Sequence, residues 1–283
     1  MSFDPERVLA DSDRVLKDPH LQAIAVESLA GLPEWTDDIA ERIGNLYPTD
    51  GSRVAGDDRI KWIDPPSSQI VHLLHSAHDH LHMLAQGMKH EGPRPLAGYS
   101  LIRVAIEASA LATWLMAPGT IDARVRRSIR LTWDNRLRVA VYTKKYDTPT
   151  DAITDDLRRI LTDIAGTRPG VKSLGLDSEF PRLTDVIRAA DEKIPANRKQ
   201  NLTGVDAWRA CSGIAHSNSN FAAGAMDRED APDHTRVTVN VITLALMLEQ
   251  AKLHLGHAVT HAELCMASKP APRGPTPSPP TTS

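Results

Sequence analysis

"LIRVAIEASALATWLMA", residues 101–117, is apolar or small on every face of a helix and is interrupted by only two charges, Arg103 and Glu107. A helix of this kind has no side it can leave in water, so it belongs at the centre of a bundle. It is shorter than the roughly 20 residues that cross a bilayer, and a membrane span rarely holds an arginine and a glutamate together. Arg103 and Glu107 stand four apart and can pair on one face.

Helical periodicity continues on both sides of this centre. "PHLQAIAVESLAGL" (19–32) and "PEWTDDIAERIGNL" (33–46) each start on a proline, as first turns of helices tolerate. Residues 47–68, rich in Gly, Asp and Pro, read as a long loop. Further helices are predicted over 67–89, 98–117, 121–146, 150–165, 181–192, 203–218 and 237–267, with a loop over 166–180. "TRVTVN" (235–240) alternates for a few residues, but it reads better as the lead into the last helix than as a strand. The tail "KPAPRGPTPSPPTTS" cannot bury apolar surface and is expected to be disordered. The expected organisation is all-α: a helical extension and loop over 1–66, a bundle over 67–267, and a Pro-rich tail over 268–283.

The net charge of -3 gives no global attraction to nucleic acid, so any such binding needs a local basic patch. Cys211 and Cys265 are 54 positions apart and neither has a C-x-x-C partner, which fits buried free thiols. The N-terminal "MSFDPERVLADSDRV" is polar and has no apolar signal-peptide core. A cytoplasmic protein with no membrane partner is expected.

"DAWRACSGIAHSNS" (206–219) places Arg209 and His216 on one helix with six residues between them. Seven positions are nearly two turns, so the two side chains share a face with their Cα atoms about 10 Å apart. That separation is too long for a direct ion pair and suits a bridged anion such as a phosphate. Ala210, Ser212, Gly213 and Ala215 keep the surroundings low. Glycine inside a helix costs about 1 kcal/mol relative to alanine, which close approach of a backbone or a substrate would explain.

With the arginine-and-glutamate helix at 101–117, this pattern resembles the HEPN superfamily of all-α domains, whose signature is an arginine followed within a turn or two by a histidine. The resemblance covers roughly 67–220. It implies a HEPN-like core and a homodimer in which two motifs form a metal-independent endoribonuclease site without a cofactor. By that resemblance His216 is the general acid or base and Arg209 holds the phosphate, giving a 2′,3′-cyclic phosphate. Arg103, Glu107, Ser212 and Asn218 are supporting residues. RNA, a second copy of the chain, and an antitoxin or sensor protein are the implied partners, in phage defence or a toxin-like response. Many catalytic members carry Asn, Asp or His directly after the arginine, where this chain has Ala210. A non-catalytic dimeric interaction module therefore stays open.

Two further stretches carry chemistry. Residues 122–146 hold eight basic residues against two acidic ones. Val125, Ile129, Trp133 and Leu137 form the expected buried stripe, leaving Arg126, Arg127, Arg130 and Arg138 to track an RNA backbone. "VHLLHSAHDHLHMLAQGMKH" (71–90) holds six histidines, and "KLHLGHAVTHAEL" (252–264) repeats the helical spacing. The pairs His78/His82 and His257/His261 could ligate a transition metal, as in helical bundles of the DinB kind. A metal-binding bundle is thus the alternative from another class.

Overall fold

The computed structural model describes residues 15–59, 64–92, 94, 96–143, 150–171, 176, 179–198, 201–230 and 232–268. Its helices in chain order are α1 (Pro19–Ala30), α2 (Leu32–Gly44), α3 (Arg53–Asp58), α4 (Pro66–Glu91), α5 (Ala97–Met116) and α6 (Ile121–Thr143). They continue as α7 (Thr150–Gly166), α8 (Leu183–Asp191), α9 (Gly204–Ala215), α10 (Ser219–Gly224) and α11 (Val241–Met266). An antiparallel hairpin, β1 (Met226–Asp230) and β2 (Thr235–Val239), lies between α10 and α11 in the chain. The fold is an all-α bundle, and this hairpin is its only sheet among the described residues. None of the described helices is long and apolar enough to cross a membrane.

Helix α5 sits where its composition demands. Tyr99, Ile102, Ala105, Ile106, Ala110 and Met116 are fully buried, and α4, α8, α9 and α11 all pack on it. The helices expected as an N-terminal extension belong to the same core: Ala25 and Leu29 of α1 and Leu32, Ile39 and Ile43 of α2 are buried in it. They form a layer of the bundle rather than an appendage.

The segment expected as a loop over 47–68 contains α3. Ser52 starts this helix, its hydroxyl accepting the Ala55 N–H at 3.1 Å. Asp57 then accepts two hydrogen bonds from Arg124 of α6, at 2.6 and 2.8 Å. Both side chains are nearly fully buried, at 1% and 5% exposure. Arg124 is thus a buried partner and adds nothing to a basic surface.

Helix α6 has its own small core with α7. Val125, Ile129 and Trp133 pack on Leu157, Leu161, Ala165 and Val171. The expected stripe ends there, because Leu137 is 42% exposed and is not part of this core. The chain before α11 is also a correction. Residues 235–239 are a strand, and Asn240 starts the helix by accepting the Thr243 N–H at 3.0 Å. The expected helix start at 237 fails because β1 supplies a ladder, with Met226 opposite Val239 and Asp230 opposite Thr235. Lys144 and Lys145 of the basic stretch, and residues 269–283 of the expected tail, lie outside the described residues.

Removing one member of a buried, doubly hydrogen-bonded ion pair leaves the other charge uncompensated, at a cost of about 3–5 kcal/mol. Asp57→Ala is expected to lose that much stability in urea denaturation. A loss below about 1 kcal/mol would show that Arg124 does not depend on this carboxylate.

Candidate functional site

Helix α9 is fixed at its start by two carboxylates. Thr203 and Asp206 form a reciprocal cap, the Thr203 hydroxyl accepting the Asp206 N–H at 3.2 Å and Asp206 accepting the Thr203 N–H at 3.3 Å. Asp191, at the end of α8, accepts the N–H groups of Gly204 and Val205 at 2.9 and 3.2 Å. It also accepts Nε2–H of His254 from α11 at 2.9 Å. Burial opposes ionisation of Asp191, but the hydrogen bonds from His254, Gly204 and Val205 outweigh it and hold the carboxyl below its ordinary range. A β-carbon on Gly204 would overlap the His254 ring, so glycine is required where three helices meet.

The inner side of α9 is tied to α5. Glu107 accepts from Arg103 at 3.0 Å and from the Trp208 indole N–H at 2.6 Å. The Arg103 guanidinium also lies over the Trp208 ring, 5.8 Å from its centroid. Arg103 and Glu107 therefore support the helix through Trp208, not by touching Arg209 or His216. Cys211 is buried on this inner side, and burial pushes its thiol up to about 12, so it is no nucleophile at neutral pH.

The outer side of α9 carries Asp206, Arg209 and His216, all exposed, with Ser212 and Gly213 half-buried between them. Neither Arg209 nor His216 has a side-chain partner among the described residues. Arg209 lines a groove of about 400 Å³ with Arg188, Asp191, Thr203 and Gln250, whereas His216 does not reach it. His216 is the last residue before the chain reverses.

That reversal decides what lies between the two residues. Ser217 has φ 59°, and the Ser217 and Asn218 N–H groups donate back to Ile214 and Gly213 carbonyls, both at 2.9 Å. This is the left-handed helix end that glycine usually supplies, here made by a serine. Asn218 then caps α10, its side chain accepting the N–H groups of Asn220 and Phe221 at 3.1 and 3.4 Å. The short helix lays the Phe221 ring over Gly213, where any β-carbon would overlap it. Gly213 is one turn after Arg209 and one turn before His216. The low surface expected between arginine and histidine is thus filled by an aromatic ring, and one phosphate does not bridge the pair across it. Gly213 is explained by Phe221, and Asn218 acts as a helix cap. Ser212 lies on the flank, with its carbonyl accepting the His216 N–H at 3.0 Å.

The basic helix divides differently from expectation. Arg127 lies on the Trp114 ring, 4.7 Å from its centroid, and donates to the Trp114 carbonyl. Arg130 donates to the Glu179 carbonyl at 2.5 Å, and Arg138 pairs with Asp134 at 2.7 Å. Arg126 is exposed and alone of these four has no side-chain partner among the described residues. Packing partners distant in the chain claim Arg127 and Arg130, while Arg138 keeps an exposed i,i+4 pair with Asp134.

The histidines do not converge. His78 and His82 stack with centroids 5.6 Å apart. His78 Nε2 meets the Thr36 carbonyl at 3.2 Å, and Gln86 donates to His82 Nε2 at 3.3 Å. His257 and His261 are tilted rings 6.0 Å apart. Burial drives His261 down to about 4 and lowers His257, aided by nearby cations including Arg198 and Arg53. Cations around a histidine pair oppose a metal cation as well. Among the described residues no three His, Cys, Asp or Glu are grouped to hold a metal ion, so the four-histidine site is not formed.

Because the Phe221 ring excludes a side chain at 213, Gly213→Ala is expected to destabilise the wild type by about 1–3 kcal/mol. In a Phe221→Ala background the same change should stabilise by about 1 kcal/mol, as alanine outranks glycine in a helix. Urea denaturation of the four proteins reads the sign, and stabilisation in both backgrounds would contradict the packing described. Set against known proteins, the chain matches no family model, no curated protein and no solved structure.

Proposed function

We propose that the exposed face of α9 binds single-stranded RNA, and that the protein is a metal-independent endoribonuclease when two copies bring these faces together. The observation that carries this reading is that Arg209 and His216 share one solvent-facing side of α9, both exposed and both without a side-chain partner among the described residues. An uncommitted arginine is suited to a phosphate, and a histidine has an ordinary pKa close enough to neutrality to take and give protons. The likeness of this pair to the HEPN motif supports the same chemistry.

Within one chain the two side chains lie on either side of Phe221. They can contact two positions along a strand, but they do not close on a single phosphodiester. Cleavage therefore calls for Arg209 of one copy beside His216 of a second. There His216 would take the ribose 2′-OH proton as that oxygen attacks phosphorus, or give a proton to the departing 5′ oxygen, with water making the other transfer. Arg209 would stabilise the charge developing on the phosphoryl oxygens. The products are a 2′,3′-cyclic phosphate and a 5′-hydroxyl.

The test pairs binding with cutting. Arg209→Ala should weaken binding of a fluorescent octauridylate and reduce the salt slope of binding by about one. Wild type should cut RNA in excess EDTA, and His216→Ala should not. Wild type that fails to bind the oligomer even at low salt, or binding indifferent to Arg209→Ala, would overturn the proposal.

A further inference from the structure

Phe221 is 46% exposed in a chain with only three phenylalanines. Three local features hold it there. Gly213 gives up helix propensity so that the ring can sit directly against α9. Ser217 adopts a left-handed backbone that disfavours every residue with a β-carbon. Asn218 spends its side chain on the turn that presents Phe221. An apolar contact joining α10 to α9 needs none of this. An alanine on α9 and a smaller aliphatic residue on α10 would pack equally well and leave less ring in water. What the observed arrangement adds is a flat aromatic surface at the middle of the face that carries Arg209 and His216.

We infer that Phe221 is the base-stacking platform of this face, taking one nucleobase of a single-stranded RNA while Arg209 and His216 contact the backbone on either side. The inference rests on the reading of α9 as an RNA-binding face and specifies how that face engages its ligand. Aromatic side chains stack bases of any sequence, since every base has a π face, and a flanking cation holds the phosphates that follow. The ring also gives a physical reason for the spacing of the pair. Two backbone-contacting residues set one turn either side of an aromatic leave room for a base between them, where an uninterrupted polar face would read only charge.

The experiment compares two octamers of equal charge, octauridylate and a ribose-phosphate spacer lacking bases. Wild type should bind octauridylate about tenfold or more tightly than the spacer. Phe221→Leu keeps an apolar cover on Gly213, and it should bind both octamers about equally, with unchanged Tm. Phe221→Tyr should retain the preference. A photoreactive uridine oligomer should crosslink wild type on the peptide containing Phe221, which reads the contact without any variant. If wild type binds both octamers alike, or Phe221→Leu keeps the full preference, the stacking role is overturned while Arg209-dependent binding stands. If wild type binds neither, both readings fall.

Discussion

Helix α5 buries Ile102, Ala108, Trp114 and Leu115, which point in different directions around its axis, so it must be surrounded. Helices α4, α8, α9 and α11 supply the enclosure, and α1 and α2 complete it from the N-terminal side. The alanines along α5 let these neighbours approach closely, and burial of this one helix sets where the others can lie. Its two charged residues pair with each other and meet Trp208 on the inner side of α9, Glu107 through the indole N–H and Arg103 over the ring. The central apolar helix thereby fixes the orientation of the helix that carries the candidate site.

Helix α9 is then held from three directions. Asp191 and His254 secure its first turn, Trp208 secures its inner side, and the left-handed Ser217 ends it. Such anchoring leaves the outer face rigid, as a recognition surface requires if its side chains are to be held in place before a ligand arrives. Asp191 and His254 form a part-buried hydrogen-bonded pair. Asp191 uses its oxygens on the Gly204 and Val205 N–H groups, and His254 holds that carboxylate, so the pair positions α9. The exposed and uncommitted groups are Arg209, His216 and Phe221, arranged along one line.

Much of the bundle is legible in the sequence because the long helices announce themselves by apolar period. Residues 67–89 and 98–117 match α4 and α5 to within two residues at each end. The hairpin is only half legible: "TRVTVN" alternates over what is β2, but "MDRED" has no apolar alternation and β2 is exposed over four of its five residues. No buried face marks these strands. The Arg209–His216 face is legible as helical spacing, but Phe221 is not. It reaches that face through a turn whose αL residue is serine, so no glycine flags the helix end. The basic helix misleads for a related reason. Whether an arginine meets solvent, a tryptophan ring or a buried aspartate depends on neighbours far along the chain, as Arg126, Arg127 and Arg124 show.

The competing basic surface is the exposed side of α6 with Arg126, Arg136 and Arg138, and α6 packs in a small core with α7, separate from that of α9. Hydrogen exchange with and without octauridylate separates the two surfaces in one experiment, because bound RNA slows exchange where it covers or steadies the backbone. The account predicts protection concentrated between residues 209 and 224, with α6 unchanged. Protection along α6 with none at α9, or no protection anywhere at saturating oligomer, would contradict it.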